Sequence, residues 1–252
     1  MNFLIEPETL YVMCVRDFKR FMRDRSQILA SLGRPLIWLF IMGGGLKGSF
    51  KSDADIPYTQ FIFPGIITLS LLFSSMQSAI TIVWDREFGF LKEILVAPVS
   101  RTSVAVGKAI SGSLISCIQG CLVLVFAPFV GIQFSLSSLF LVLAVMFIMS
   151  LCLTSIGITI ASRLSTIEGF GVISNFLIMP LFFLSGALFP IKHLPHIIDL
   201  LVRANPLTYG VDIMRYGLLG THSFSLLLNF SYLSCSTLFC LLVAVFMFRR
   251  SG

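Results

Sequence analysis

Between Lys108 and Arg163 the chain contains not one Asp, Glu, Lys or Arg, and shorter uncharged runs recur along the whole sequence. This pattern constrains the fold more than any motif. A run of about 20 apolar residues crosses the hydrocarbon core of a bilayer. There each backbone N–H and C=O must be satisfied within the protein, which leaves helices and closed barrels. A barrel needs alternating segments of about 10 residues, and these runs do not alternate. Only 12% of the 252 residues are charged, about half the share in a soluble domain. The fold class is therefore an all-α, polytopic membrane protein.

Six spans are expected in a single transmembrane domain covering 1–252, at 28–46, 58–83, 104–130, 136–161, 170–190 and 226–248. Basic residues set their orientation. Thirteen fall on one side, in the N-terminal segment, the loop after the second span with its flank, the loop after the fourth, and the tail; five fall on the other. The positive-inside rule places both termini in the cytoplasm. The net charge of +6 then reflects basic loops held at the membrane and implies no nucleic-acid partner. No cleavable leader is expected, since a charged stretch precedes the first span. Five of the six cysteines lie in spans, none forms a CxxC, and all read as small buried hydrophobes. His193 and His196 lack the further ligands a metal site needs, so no metal is expected.

Residues 1–27 carry an amphipathic helix. Tyr11, Cys14, Phe18 and Phe21 line one side, and Arg16, Asp17, Arg20, Arg23 and Asp24 another. Such a helix lies in the membrane interface, either as a simple anchor to anionic lipid or as a surface that also meets a cytoplasmic partner. Residues 191–225, on the outer side, are apolar but broken by Pro195 and Pro206. Proline removes a backbone donor, so this region reads as short re-entrant helices capping a cavity.

The chain has no phosphate-binding loop. "GGGLKGSF" holds its glycines and lysine in the wrong order, and "ITIVWD" reads as the end of a span. The chain is therefore not expected to bind or hydrolyse ATP itself, and not to be an enzyme. Charge inside the spans is scarce, with Arg34 and Glu168 at span ends. This argues against an ion-coupled transporter, which keeps ionisable groups on its pathway.

Charges concentrate in "VWDREFGFLKEILVAPVSRTSVAVGKAI". Residues 85–97 read as a short amphipathic helix ended by Pro98, with Ser100 capping the next helix. An anchor to an anionic leaflet favours Lys and Arg alone. The carboxylates here fit a protein partner read by charge complementarity better than they fit a passive loop.

"DREFGFLKEILVAPVSRTSVAVGKAISG" resembles the hallmark of ABC-2 permeases, the membrane subunits of ATP-binding-cassette exporters. "LSGALFPIKHLP" followed by "NPLTYGVDIMR" resembles that family's motif after its fifth span. The resemblance covers nearly the whole chain and is nearest to the nodulation-exporter and daunorubicin-exporter-like subgroup. It implies a homodimer paired with two ATPase subunits, with ATP and Mg held on the ATPase and no cofactor in this chain. It makes 85–97 the coupling helix and implies ATPase contacts at Asp85, Arg86, Glu87, Phe88, Gly89, Lys92 and Glu93, with a second contact at Arg16, Asp17 and Arg23. It implies an outer gate held by Gly186, Pro190, Asn205, Pro206, Tyr209, Asp212 and Arg215. Asp212 and Arg215, three apart, could instead pair locally as a structural element.

The expected function is ATP-driven export from the bacterial inner membrane. The 25 Phe, against five Tyr and two Trp, lean towards an amphipathic or lipid-like substrate, with glycolipid, polysaccharide and drug open. A non-transporting membrane anchor or regulator of an ATPase, and a passive channel or scaffold, are the alternatives.

Overall fold

The computed structural model describes residues 6–45, 56–89, 100–191 and 195–250. In order, the helices are α1 (Pro7–Arg23), α2 (Arg25–Gly45), α3 (Tyr58–Glu87), α4 (Arg101–Leu124), a 3-10 turn (Ala127–Val130), α5 (Leu136–Ala161), α6 (Ile167–Phe183), α7 (His196–Ala204), α8 (Pro206–Leu219) and α9 (Leu226–Arg250). No strand occurs among the described residues.

Among the described residues five helices, α2, α3, α4, α5 and α9, are long and apolar enough to cross a membrane. The fifth expected span, 170–190, contains the shorter α6 of 17 residues. Its chain leaves the helix at Leu184 and turns at Gly186, whose φ of 68° suits a residue without Cβ. The third expected span, 104–130, is also cut short: α4 ends at Leu124 and a 3-10 turn follows.

Side chains set several helix starts. Ser100 accepts from Ser103 N, Ser135 from Ser138 N, Thr166 from Gly169 N and Asn205 from Leu207 N. Each satisfies one of the N–H groups that a first helical turn leaves open.

The hub is α3, packed by α2, α4, α5, α6 and α8. Ile62, Phe63, Ile66, Ile67, Leu71 and Leu72 are fully enclosed. Around it α4, α5 and α9 pack on one another, while α1 lies against α4. The approach of α4 is close: a Cβ at Gly112 would lie 2.5 Å from Ser78 Oγ and 2.7 Å from Thr154 Cγ2.

The segment between α6 and α9 holds two helices of opposite character. α7 exposes Ile197, Leu200 and Leu201, whereas α8 is buried over most of its length against α5, α9 and α3.

Candidate functional site

One end of the bundle gathers α1, the end of α3, the start of α4 and the end of α9. Glu6 N donates to Ser103 Oγ at 2.9 Å, and Arg101 Nη1 donates to the Arg249 carbonyl at 3.2 Å. Here the charges that the sequence concentrates come together.

Asp17 is the centre. It lies on the face of α1 formed by Met13, Asp17 and Phe21, and that face is buried. Lys108 Nζ donates to Asp17 Oδ1 at 3.2 Å and Ser111 Oγ to Asp17 Oδ2 at 2.7 Å. Arg16 Nη2 bridges Asp17 Oδ1 at 3.3 Å and Asp85 Oδ2 at 3.4 Å. Lys108 is 3% exposed, also reaches Thr81 Oγ1 at 3.0 Å, and lies 3.8 Å from Asp85. Burial pushes the Asp17 carboxyl up. Lys108, the Ser111 hydroxyl and Arg16 outweigh it, so its pKa falls below the ordinary carboxylate value.

Two expectations are corrected. Asp17, read as part of the polar outer face of α1, is turned into the bundle, because Lys108 supplies a buried counter-charge. Tyr11, Phe18 and Met22 are left exposed instead. Charge inside the spans is also less scarce than expected: Lys108 is buried one-third of the way along α4.

Asp85, Arg86 and Glu87 form the last turn of α3 and not a separate helix. Asp85 faces the cluster. Arg86 turns inward, its Nη1 donating to the carbonyls of Ala161, Ser162 and Leu164 at 3.4, 3.3 and 2.8 Å. It thereby caps the end of α5. Glu87 and Phe88 are exposed, and Gly89 turns the chain with φ 81°. Arg23 is exposed on α1. Lys92 and Glu93 lie outside the described residues. Arg20 stands 4.7 Å over the Trp84 ring, a contact that neither residue's spacing announces.

The opposite end carries the residues assigned to an outer gate. Asp212 and Arg215 do not pair. Asp212 accepts from Ser223 N at 2.8 Å, Phe224 N at 3.0 Å and Asn229 Nδ2 at 2.8 Å, tying α8 to the start of α9. Arg215 Nη2 donates to the Gly186 carbonyl at 2.9 Å and its guanidinium stacks 4.1 Å over Phe61. Asn205 Nδ2 donates to the Leu181 carbonyl at 2.7 Å, just ahead of Pro206 at the start of α8. Tyr209 donates to the Arg203 carbonyl and stacks on Tyr232. Pro190 is exposed and stands apart from this network. Among the described residues no cluster of His, Cys, Asp or Glu could hold a metal.

These features define a helical integral membrane protein with a charged end and a tightly tied opposite end. Comparison with known proteins gives the class its family. The ABC-2 type transporter family matches residues 8–219. The chain is 34% identical over 237 residues to a Cyanophora paradoxa protein named as the transport permease ycf38, covering 92% of this chain and 78% of that one. It is 29% identical over 225 residues to the inner membrane transport permease YadH of Escherichia coli K12, covering 86% of each. It is 25% identical over 227 residues to nodulation protein J of Rhizobium leguminosarum bv. viciae, covering 89% of this chain and 87% of that one. The chain belongs to the ABC-2 type transporter family, and its role is that of a membrane-embedded transport permease. Permeases of this family normally work with an ABC ATPase.

Proposed function

We propose that the chain is the permease subunit of an ATP-driven exporter and acts as one transmembrane unit, with ATP and Mg held on a separate ATPase. Two copies pair with two ATPase subunits. The chain crosses the bacterial inner membrane six times, with α6 and the segment after it making the fifth crossing and both termini cytoplasmic. The cargo is an amphipathic molecule: lipid-like, glycolipid or polysaccharide, or a drug.

The observation that carries this reading is the bond between α1 and the bundle. An interface helix held only by lipid would slide independently of the spans. Here Asp17, Arg16, Lys108 and Asp85 join α1 to α3 and α4 through charge-assisted contacts. A push on α1 or on the exposed Glu87–Phe88 end of α3 is therefore carried to both helices at once. Glu87 and Glu93 act as charge-complementary docking points, and the Asp212 and Arg215 networks hold the outer end while the spans move.

Purification of the tagged chain from its native membrane in mild detergent tests the reading. A stoichiometric P-loop ATPase is expected, and Glu87→Lys combined with Glu93→Lys should remove it while the permease stays folded. A homo-oligomer that repeatedly purifies without an ATPase, or an ATPase retained by the reversed variant, would overturn it.

A further inference from the structure

A cleft of about 320 Å³ opens between α2, α3 and α4. Its floor is polar. Ser70, Ser74 and Gln119 line it and are 1–3% exposed, and Ser70 Oγ, Ser74 Oγ and Gln119 Nε2 have no hydrogen-bond partner within the protein. A buried donor or acceptor left unmet carries its full desolvation cost. Three on two helices, converging on one space, point to a polar occupant of that space.

The mouth carries a charge. Arg34 and Gln77 are exposed there, and the Arg34 guanidinium lies 4.2 Å over the Phe73 ring. Arg34 stands nine residues into α2, about 14 Å along the helix at 1.5 Å per residue. No described carboxylate forms an ion pair with Arg34, so its charge is open to an anion. Asp24, the carboxylate lining the cleft, accepts from Ser26 Oγ at 2.6 Å and Gln27 N at 3.0 Å and makes no ion pair with Arg34.

The approach carries more of the same sign. At Asp24 the cleft joins a surface groove lined by Arg16, Lys19, Arg20 and Arg23. Arg16 of this groove is already paired with Asp17 and Asp85, which leaves Lys19, Arg20 and Arg23 beside Asp24 on the approach. Ile37 and Ile41 lie on the same face of α2 as Arg34 by helical period and are 58% and 61% exposed.

We propose that this cleft binds the head of an anionic amphiphile, a molecule with a phosphate or carboxylate head and an acyl-like tail. The basic groove attracts the anion, Arg34 neutralises it, and Gln119, Ser70 and Ser74 bond its oxygens. The tail lies along Ile37 and Ile41. The site deepens the permease reading by naming the class of molecule the protein holds. The same chemistry serves a transported cargo and a resident membrane lipid.

The test uses the full chain in phosphatidylcholine nanodiscs with a small fraction of photoactivatable phosphatidylglycerol, compared with a photoactivatable phosphatidylcholine of the same tails. Adducts are mapped by mass spectrometry. The anionic probe should label α2 and α3 at the cleft about tenfold more than the zwitterionic one, the difference expected of one charge-assisted hydrogen bond. Arg34→Gln should abolish the preference and Arg34→Lys restore most of it. Gln119→Leu, which changes no charge, should lower cleft labelling while labelling elsewhere stays unchanged and so reports an intact fold. Equal labelling by both probes, or a preference that survives both Arg34→Gln and Gln119→Leu, would overturn the proposal. Adding the ATPase and ATP identifies the source: cargo leaves the cleft on turnover, and a resident lipid stays. Both support the site. No ATPase is needed for the binding step, so a cleft that fails to select anionic lipid leaves the permease reading standing, and loss of the ATPase partner leaves the cleft standing.

Discussion

Replacing Lys108 by methionine keeps its volume but strands Asp17 in the interior with only Arg16 and Ser111 as partners. At 3.2 Å the Lys108–Asp17 attraction is about 5 kcal/mol at an effective dielectric of about 20. Desolvation of both ions offsets most of that, so the pair itself adds little stability over two apolar residues. Removing one partner is different, because it leaves an uncompensated buried charge, and costs about 3–5 kcal/mol. Asp17→Asn should do the same from the other side, leaving Lys108 with Thr81 and the more distant Asp85. The double variant Asp17→Asn with Lys108→Met removes both charges and should lose much less than the sum of the two single variants. The readout is hydrogen exchange of the α1 amides in detergent or nanodiscs. A loss of about 3 kcal/mol in docking speeds exchange more than a hundredfold, at 1.4 kcal/mol per factor of ten. If the single variants exchange α1 at the native rate, or if their effects simply add in the double variant, the buried pair does not hold α1 to the bundle.

Other outcomes follow from single contacts. Asp17 has a lowered pKa when docked, so the docked state favours its ionised form. Its contribution is complete above the ordinary carboxylate range and is lost as pH falls through the lower docked value. Protection of the α1 amides, taken from the exchange rate relative to the intrinsic rate at each pH, should thus stay flat from neutral pH into mild acid and fall only in stronger acid, a fall that Asp17→Asn flattens. Arg86→Gln should uncap three carbonyls at the end of α5 and lower stability by about 1.5–3 kcal/mol in thermal unfolding. Asp212→Ala should leave two backbone N–H groups and the Asn229 amide unmet, at a cost of about 3 kcal/mol or more, read as lower thermal stability and faster exchange in the segment joining α8 to α9. Gly112→Val should force α4 away from Ser78 and Thr154 and destabilise by about 1–3 kcal/mol, read as a lower unfolding temperature.

The long uncharged runs announced most of the helices. The cap residues announced where several begin: Ser100 stands ahead of α4 as its side chain suggests. Interruptions inside apolar sequence were harder to see. Nothing in the composition of 170–190 separates the helical Ile167–Phe183 from the turn at Gly186, because both are apolar and the turn is held by the distant Arg215. The faces of α1 were misread for a related reason. Helical period groups Asp17 with Arg16 and Arg20 as a wet face, and only a lysine 91 residues away in sequence makes burial of that carboxylate tolerable.

Sequence alone determined that this chain lives in a bilayer, that it is helical, and that its charge gathers near one loop. These follow from local composition, since a lipid solvent selects apolar runs and forces each segment to satisfy its own backbone. Tertiary structure decided which charges are paired and which are free to meet another molecule. Asp17, Lys108, Asp85 and Arg86 turn inward while Glu87 stays out. Asp212 and Arg215 find different partners and not each other. Ser70, Ser74 and Gln119 converge on one cleft from two helices. Each of these outcomes depends on which helix packs against which, and a charge or hydroxyl acquires its role from neighbours that lie tens of residues away in sequence.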